Sequence, residues 1–268
     1  MIPTRKVEDW LEEDLGHHDV TNQVPGRTQG RLVAKESGVV AGFDAARAVF
    51  EYLDVDVESR IETGERVDAG ETILRVEGPA REVLRGERVA VNIAGHASGI
   101  ATRTRRAVDA AREVSDGVRI AGTRKTTPGL RGVEKRAVAA GGGDTHRLDL
   151  SHMVMVKDNH VAEMGLEAAV DHFRERVSFA TKIEVEVETP EDAPRAAEAG
   201  ADIVLLDNLP PADTERAVRL LPDGTLAEAS GGITVDDVPA YAETGVDVIS
   251  MGSLTHSADT LDLSFRTG

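Results

Sequence analysis

The spacing of apolar residues gives the chain two textures. From about residue 28 to 85, short alternating runs (RLVAKESGVVAG, VDVESRIETG, TILRVEG) are broken by glycine-rich turns, with one stretch at helical spacing, FDAARAVFEYL, between them. Alternation of period two is the mark of strands, so this region predicts a small α+β unit. Residues 81–114 carry apolar spacings of three and four with good helix formers at both ends, interrupted by Gly95 and Gly99. That pattern predicts two helices, or one kinked helix, bridging two domains. Beyond Asp116, β-rich runs (GVRIAG, MVMVKD, KIEVEVE, ADIVLLD, TLAEAS, GVDVISMG) alternate with helical segments (EKRAVAAG, LEAAVDHFRERV, PEDAPRAAEAG, PADTERAVRLL, TVDDVPAYAETG). Such alternation predicts a parallel sheet, and the polar residue after nearly every strand favours a barrel over a doubly wound sheet.

Composition narrows the chemistry. The chain has 268 residues, enough for one large domain or two ordinary ones, and no Cys, which removes disulfides, thiolate metal sites and Cys nucleophiles. A formal charge of -17 argues against a general nucleic-acid binder, whose affinity comes from basic surface. Lys is scarce (Lys6, Lys35, Lys125, Lys135, Lys157 and Lys182), and a surface rich in Asp and Glu fits a protein kept soluble in high salt. An ordinary acidic composition with GC-rich codon bias would look the same. No apolar run approaches a membrane span, and the start, MIPTRKVEDWLEEDLG, lacks the run of a secretory signal, so a cytoplasmic location is expected. The segment GERVDAGETILRVEG resembles biotin- and lipoyl-carrier domains, but no Lys lies between Lys35 and Lys125 to carry a prosthetic group.

Four constellations carry candidate chemistry. From Arg119 to His160 basic residues outnumber acidic ones eight to four, reversing the sign of the chain. Within that stretch Arg124 and Lys125 follow the strand VRIAG and precede a Pro-Gly loop, where side chains project into a strand-end site; Arg131, Lys135 and Arg136 fit a solvated helix face equally well. The segment HRLDLSHMVMVKDNH, preceded by Gly141, Gly142 and Gly143, offers His146, Arg147 and Lys157 beside a backbone able to approach an anion closely. Its three His, at spacings of six and eight, share no helical or strand face, which argues against a His-metal site. An Arg fork grips a carboxylate bidentately, whereas Lys supplies a point charge. Glu184, Glu186 and Glu188 alternate with Val185 and Val187, so an acidic stripe faces either the barrel interior or water, and Asp207 ends the next apolar run. Glu186 and Asp207 are two hard oxygen donors suited to Mg²⁺ near substrate phosphates. Finally, Ser230, Gly231 and Gly232 after the penultimate strand, and Gly252 after the last, offer backbone N–H groups to a phosphate.

Together TRKTTPGLR, EKRAV, GGGxxHR, VKDNH, EVEVE, LLDN, SGGI and ERVAVNIAGHASGIAT resemble the quinolinate phosphoribosyltransferases, over nearly the whole chain. The resemblance implies an α/β subunit: an N-terminal α/β sandwich domain, set here at 1–104, and an open, TIM-like α/β barrel at 105–268, with the last residues packing back on the first domain. It implies a dimer with shared active sites, in which Arg88 reaches into the neighbouring subunit. By the same resemblance Arg124, Lys125, His146, Arg147 and Lys157 bind the carboxylates of quinolinate and part of phosphoribosyl pyrophosphate. Glu186 and Asp207 hold ribose hydroxyls and Mg²⁺, largely through the substrate, and Ser230, Gly231, Gly232 and Gly252 cradle the 5′-phosphate. Lys125, Lys157, Glu186 and Asp207 form the catalytic group. The chain departs from the family pattern at His18, where Gly is usual, and at Asp149 and His152 in the loop after His-Arg. A nicotinate-type phosphoribosyltransferase, needing fewer cations, is the nearest alternative; a non-catalytic phosphometabolite-binding protein would have no use for the paired acids.

Overall fold

The computed structural model describes residues 2–268 and divides into two compact units. The first comprises the chain through Arg105 together with Gly132–Gly142 and Ala258–Gly268. Its four-stranded antiparallel sheet runs in the order β12 (Leu263–Thr267), β1 (Arg27–Ala34), β5 (Thr72–Pro79), β3 (Asp56–Ser59). Register decides which face is buried. Leu32 lies opposite Leu74 and Phe265 on the core face, whereas Arg31, one residue earlier, lies opposite Arg75 and Arg266 on the solvent face. The core face packs on Ala46 and Phe50 of the helix Phe43–Tyr52, with the Phe50 and Phe265 rings stacked at 5.8 Å. A two-stranded ribbon, β2 (Gly38–Val39) with β4 (Arg66–Val67), completes the unit's strands among the described residues.

The stretch containing Gly95 and Gly99 forms one helix, Ala80–Arg112, not two. Both glycines are there for packing. A Cβ on Gly99 would lie 1.9 Å from the Asp259 carbonyl oxygen, and one on Gly95 would lie 2.9 Å from the Thr260 side chain. The 258–261 segment thus lies against bare helix backbone, and the Leu261 N–H donates to the Gly95 carbonyl at 3.1 Å.

The second unit, Arg106–Arg131 with Gly143–Ser257, holds six parallel strands: β6 (Arg119–Gly122), β7 (Val154–Val156), β8 (Ile183–Val187), β9 (Ile203–Asp207), β10 (Leu226–Ser230) and β11 (Val248–Met251). Their order is β6-β11-β10-β9-β8-β7, so the first strand pairs with the last and the rest follow in sequence. A doubly wound sheet reverses direction at a switch point. This one never does, and it curls into a barrel open between β6 and β7, where Asp144 makes a single parallel bridge to Ala121.

One cut at 104/105 does not describe the division, because Gly132–Gly142 groups with the first unit. The helix Arg131–Ala140 buries Val133, Glu134, Lys135, Ala137 and Val138 there. Arg136 pairs with Asp44 at 2.9 Å, His96 meets Glu134 at 2.9 Å, and Arg105 donates to the Gly141 carbonyl at 2.9 Å. Lys135 is thus a buried residue rather than part of a solvated helix face.

Candidate active site

A cavity of about 550 Å³ opens at the C-terminal ends of the barrel strands. Arg124 and Lys125 enter it from the loop after β6, His146 and Arg147 from the segment between the Asp144 bridge and β7, and Lys157 from just beyond β7. Glu186 of β8, Asp207 at the end of β9 and Ser230 at the end of β10 complete its floor, with Gly231, Gly232 and Gly252 along the far wall. Every barrel residue that the resemblance assigned to the site therefore lines one cavity, whereas Arg131, Glu184 and Glu188 are not among its lining residues. Nor is Arg88: it lies in the first unit, on the helix Ala80–Arg112, with its side chain 60% exposed and a loose contact to Glu87 at 3.9 Å.

Local backbone chemistry sets each group. Thr255 Oγ1 donates to the Lys125 carbonyl at 2.6 Å and the Lys125 N–H donates to Thr123 Oγ1 at 3.1 Å, pinning the loop after β6. Gly231, at φ +99°, has no room for a side chain, because a Cβ would fall 2.3 Å from Asn208 Oδ1. Asn208 itself is left-handed (φ +55°) and donates its N–H to the Ser230 carbonyl at 2.9 Å, so the ends of β9 and β10 lock together. Ser250 Oγ donates to Ser230 Oγ at 3.0 Å.

Charges in the cavity are arranged in pairs. Lys157 Nζ donates to Glu186 Oε2, and the Asn208 amide donates to Asp207 Oδ2 at 2.6 Å. Burial, and then the neighbouring Glu186 charge, push the Asp207 carboxyl above its ordinary range. Arg147 is almost covered; burial pulls its guanidinium down, against the attraction of Glu184. One Nη of Arg147 contacts Met155 Sδ at 2.9 Å, and its Nε has no hydrogen-bond partner among the described residues.

Two acids that the sequence reading did not assign to the site meet His146: Glu228, which lines the cavity, and Glu184, which is fully buried. His146 Nε2 lies 2.9 Å from Glu228 Oε2 and 3.7 Å from Glu184 Oε1, the second distance being electrostatic contact rather than a hydrogen bond. Both carboxylates are buried, and Glu184 Oε1 and Oε2 and Glu228 Oε1 have no hydrogen-bond partner among the described residues. Burial alone would discharge the imidazole, but attraction to Glu184 and Glu228 outweighs it and pushes His146 up to about 10. The stripe Glu184, Glu186, Glu188 faces the barrel interior, going from buried to exposed toward the strand end. The signal for Glu228 was an acid alone between alanines in a buried β run, LAEAS. The other His of that stretch serve the loop, His152 Nδ1 accepting the Leu148 N–H at 3.3 Å and His160 Nδ1 the Lys157 N–H at 3.0 Å.

Comparison with known proteins agrees with this geometry. Residues 19–98 match the N-terminal domain of quinolinate phosphoribosyl transferase, and residues 100–266 match its C-terminal domain. The chain belongs to the quinolinate phosphoribosyl transferase family. It is 46% identical over 270 residues to a probable carboxylating nicotinate-nucleotide pyrophosphorylase of Methanothermobacter thermautotrophicus, with 97% of each chain covered. It is 43% identical over 266 residues to the human carboxylating nicotinate-nucleotide pyrophosphorylase, covering 97% of this chain and 90% of that one. The crystal structure of the Ehrlichia chaffeensis nicotinate-nucleotide pyrophosphorylase superposes with a TM-score of 0.93 at 31% identity, covering 100% of this chain and 99% of that one.

The departures from the quinolinate phosphoribosyl transferase pattern are absorbed locally. His18 is exposed and is not among the residues with positive φ, so that position makes no demand for glycine. Its neighbour Asp19 accepts the N–H groups of Thr21 and Asn22, each at 3.0 Å, and pairs with Arg85 Nε at 2.8 Å. Asp149 accepts the Ser151 hydroxyl at 2.6 Å and N–H at 2.9 Å, closing the loop after His146 and Arg147 on itself.

Proposed function

We propose that the chain transfers the phosphoribosyl group of phosphoribosyl pyrophosphate to the nitrogen of quinolinate, with decarboxylation, giving nicotinate mononucleotide, pyrophosphate and CO₂ in de novo NAD biosynthesis. The observation that carries this beyond family membership is the meeting of Arg124, Lys125, His146, Arg147 and Lys157 with Glu186 and Asp207 in one strand-end cavity. Displacing pyrophosphate from the ribosyl carbon develops oxocarbenium character, so the work is positioning the ring nitrogen and steadying charge as it moves. No side-chain nucleophile is needed, in keeping with a chain that has no Cys.

In this proposal Arg124, His146 and Arg147 grip the two carboxylates of quinolinate, and Lys125 and Lys157 are shared with the pyrophosphate. Arg147 suits its task because it lines the cavity while nearly buried, and its buried Nε has no hydrogen-bond partner among the described residues, so its fork is not already engaged by a protein carboxylate. Glu186 and Asp207 hold the ribose hydroxyls, while Ser230, Gly231, Gly232 and Gly252 receive the 5′-phosphate. The same acids fit Mg²⁺: they are hard oxygen donors lining one cavity, and the Glu186 charge, after burial, helps hold Asp207 above its ordinary range. Bound there with the substrate, Mg²⁺ would neutralise the departing pyrophosphate. Once the nitrogen is ribosylated the cationic ring becomes an electron sink: the adjacent carboxylate leaves as CO₂, its bonding pair stays on the ring carbon beside the nitrogen, and that carbon takes up a proton from water, so the cations must orient the carboxylate without over-stabilising it.

A homodimer sharing its active sites belongs to the same proposal, with Arg88 supplied by the second chain; its side chain is exposed and makes a loose 3.9 Å contact to Glu87. We also place the enzyme in the cytoplasm and read its acidic, Lys-poor composition as salt adaptation. A nicotinate-type acceptor would need fewer cations than the cavity holds. Assaying quinolinate and nicotinate side by side with phosphoribosyl pyrophosphate and Mg²⁺ separates the two: turnover of nicotinate alone would overturn the proposal.

A further inference from the structure

The orphaned carboxylate oxygens beneath His146 call for a partner, since a buried carboxylate left without compensation is strongly unfavourable. Glu228 Oε2 faces His146 Nε2 at 2.9 Å, while Glu228 Oε1 and both oxygens of Glu184 lack a hydrogen bond of good geometry among the described residues. Burial, and then the neighbouring Glu228 charge, push the Glu184 carboxyl above its ordinary range against the pull of His146, so Glu228 is the acid that meets the ring as a carboxylate. The charged groups around the ring are these two acids, from β10 and β8; Asp144 accepts the His146 backbone N–H at 2.7 Å, and Arg147 is next along the chain. Beyond them, Glu186 and Arg124 act on Arg147, and Lys157 is engaged by Glu186. His146 is itself fixed by an unusual backbone, at φ +50°.

Ring chemistry then has a consequence for the substrate. A neutral imidazole that donates from Nε2 to Glu228 carries a lone pair on Nδ1 and would repel a carboxylate there. Only the imidazolium donates from both nitrogens. We propose that Glu228 is a positioning residue that keeps the His146 ring cationic and oriented, so that it can meet a substrate carboxylate and favour a dicarboxylate acceptor. This rests on the assignment of His146 to quinolinate binding. The direction of the His146 shift agrees, attraction to the two acids outweighing burial.

The test combines a spectroscopic and a kinetic measurement. Nitrogen-15 NMR of histidine-labelled protein, with the His146 signal identified by its loss in His146→Gln, reads the charge on the ring directly. In the wild type at about pH 8 both ring nitrogens should be protonated; in Glu228→Gln the ring should lose its proton at lower pH, toward the ordinary imidazole value of about 6.5. The KM for quinolinate in that variant should rise about tenfold at about pH 8 and much less at about pH 6, with the KM for phosphoribosyl pyrophosphate little changed and Glu228→Asp restoring part of the loss. A purely structural role would not produce this rescue by acid. A neutral wild-type ring at that pH, a metal ion retained on His146 in the purified protein, or a variant whose ring and KM follow the wild-type pH profile would each overturn the proposal. Should Glu228→Gln fail to fold, the wild-type spectrum still decides the charge. Should the wild type not use quinolinate at all, the substrate assignment fails instead.

Discussion

At the scale of single residues, the cavity separates groups that bind from groups that make binding possible. Arg147 is the clearest binder: it is nearly covered, surrounded by acids, and retains an unsatisfied Nε. Arg147→Ala should leave the fold intact and abolish measurable quinolinate binding by calorimetry, since charge-assisted hydrogen bonds contribute on the order of 1.5–3 kcal/mol each. Unchanged affinity would remove Arg147 from the site. Gly231 acts only through backbone. Gly231→Ala would force a Cβ to within 2.3 Å of Asn208 Oδ1 at φ +99°. A loss of roughly 2 kcal/mol in stability is expected together with a raised KM for phosphoribosyl pyrophosphate; thermal melts and steady-state kinetics read the two effects separately.

Among the elements, the helix Ala80–Arg112 shows what patterning reveals and what it hides. Its apolar spacing was legible; the choice between two helices and one running through Gly95 and Gly99 was left open, because a glycine that permits close packing looks in sequence like one that breaks a helix. Ordinary propensity says Gly99→Ala should stabilise a helix by about 1 kcal/mol. With the Asp259 carbonyl 1.9 Å from the new Cβ, we expect a net loss of about 2 kcal/mol instead, read as a lower denaturant midpoint with unchanged slope. The barrel was legible for a different reason: a polar residue ends or follows nearly every strand's apolar run, and Lys157, Glu186, Asp207 and Ser230 lie at or just beyond strand ends. Glu228 escaped, and Glu184 was left undecided between barrel interior and water, because each lies within a strand and meets His146, a partner 82 and 38 positions away in the chain. Lys135 escaped likewise, since a basic residue on a helix is exposed unless tertiary packing covers it.

For the molecule as a whole, the contrast between a net charge of -17 and a cavity lined with cations is the central electrostatic fact. The acidic surface repels itself, so screening should raise stability: the melting temperature is expected to climb as KCl is added. A flat response would count against salt adaptation. Removing divalent ions with EDTA should abolish turnover, and added Mg²⁺ should restore it; full activity in the chelator would exclude Mg²⁺ from the roles given to Glu186 and Asp207. The most direct test of the whole account is incubation of the protein with quinolinate, phosphoribosyl pyrophosphate and Mg²⁺, following CO₂ and nicotinate mononucleotide together. Equimolar release of CO₂ with the mononucleotide is the expected result; no CO₂ from quinolinate, with nicotinate accepted in its place, would contradict it.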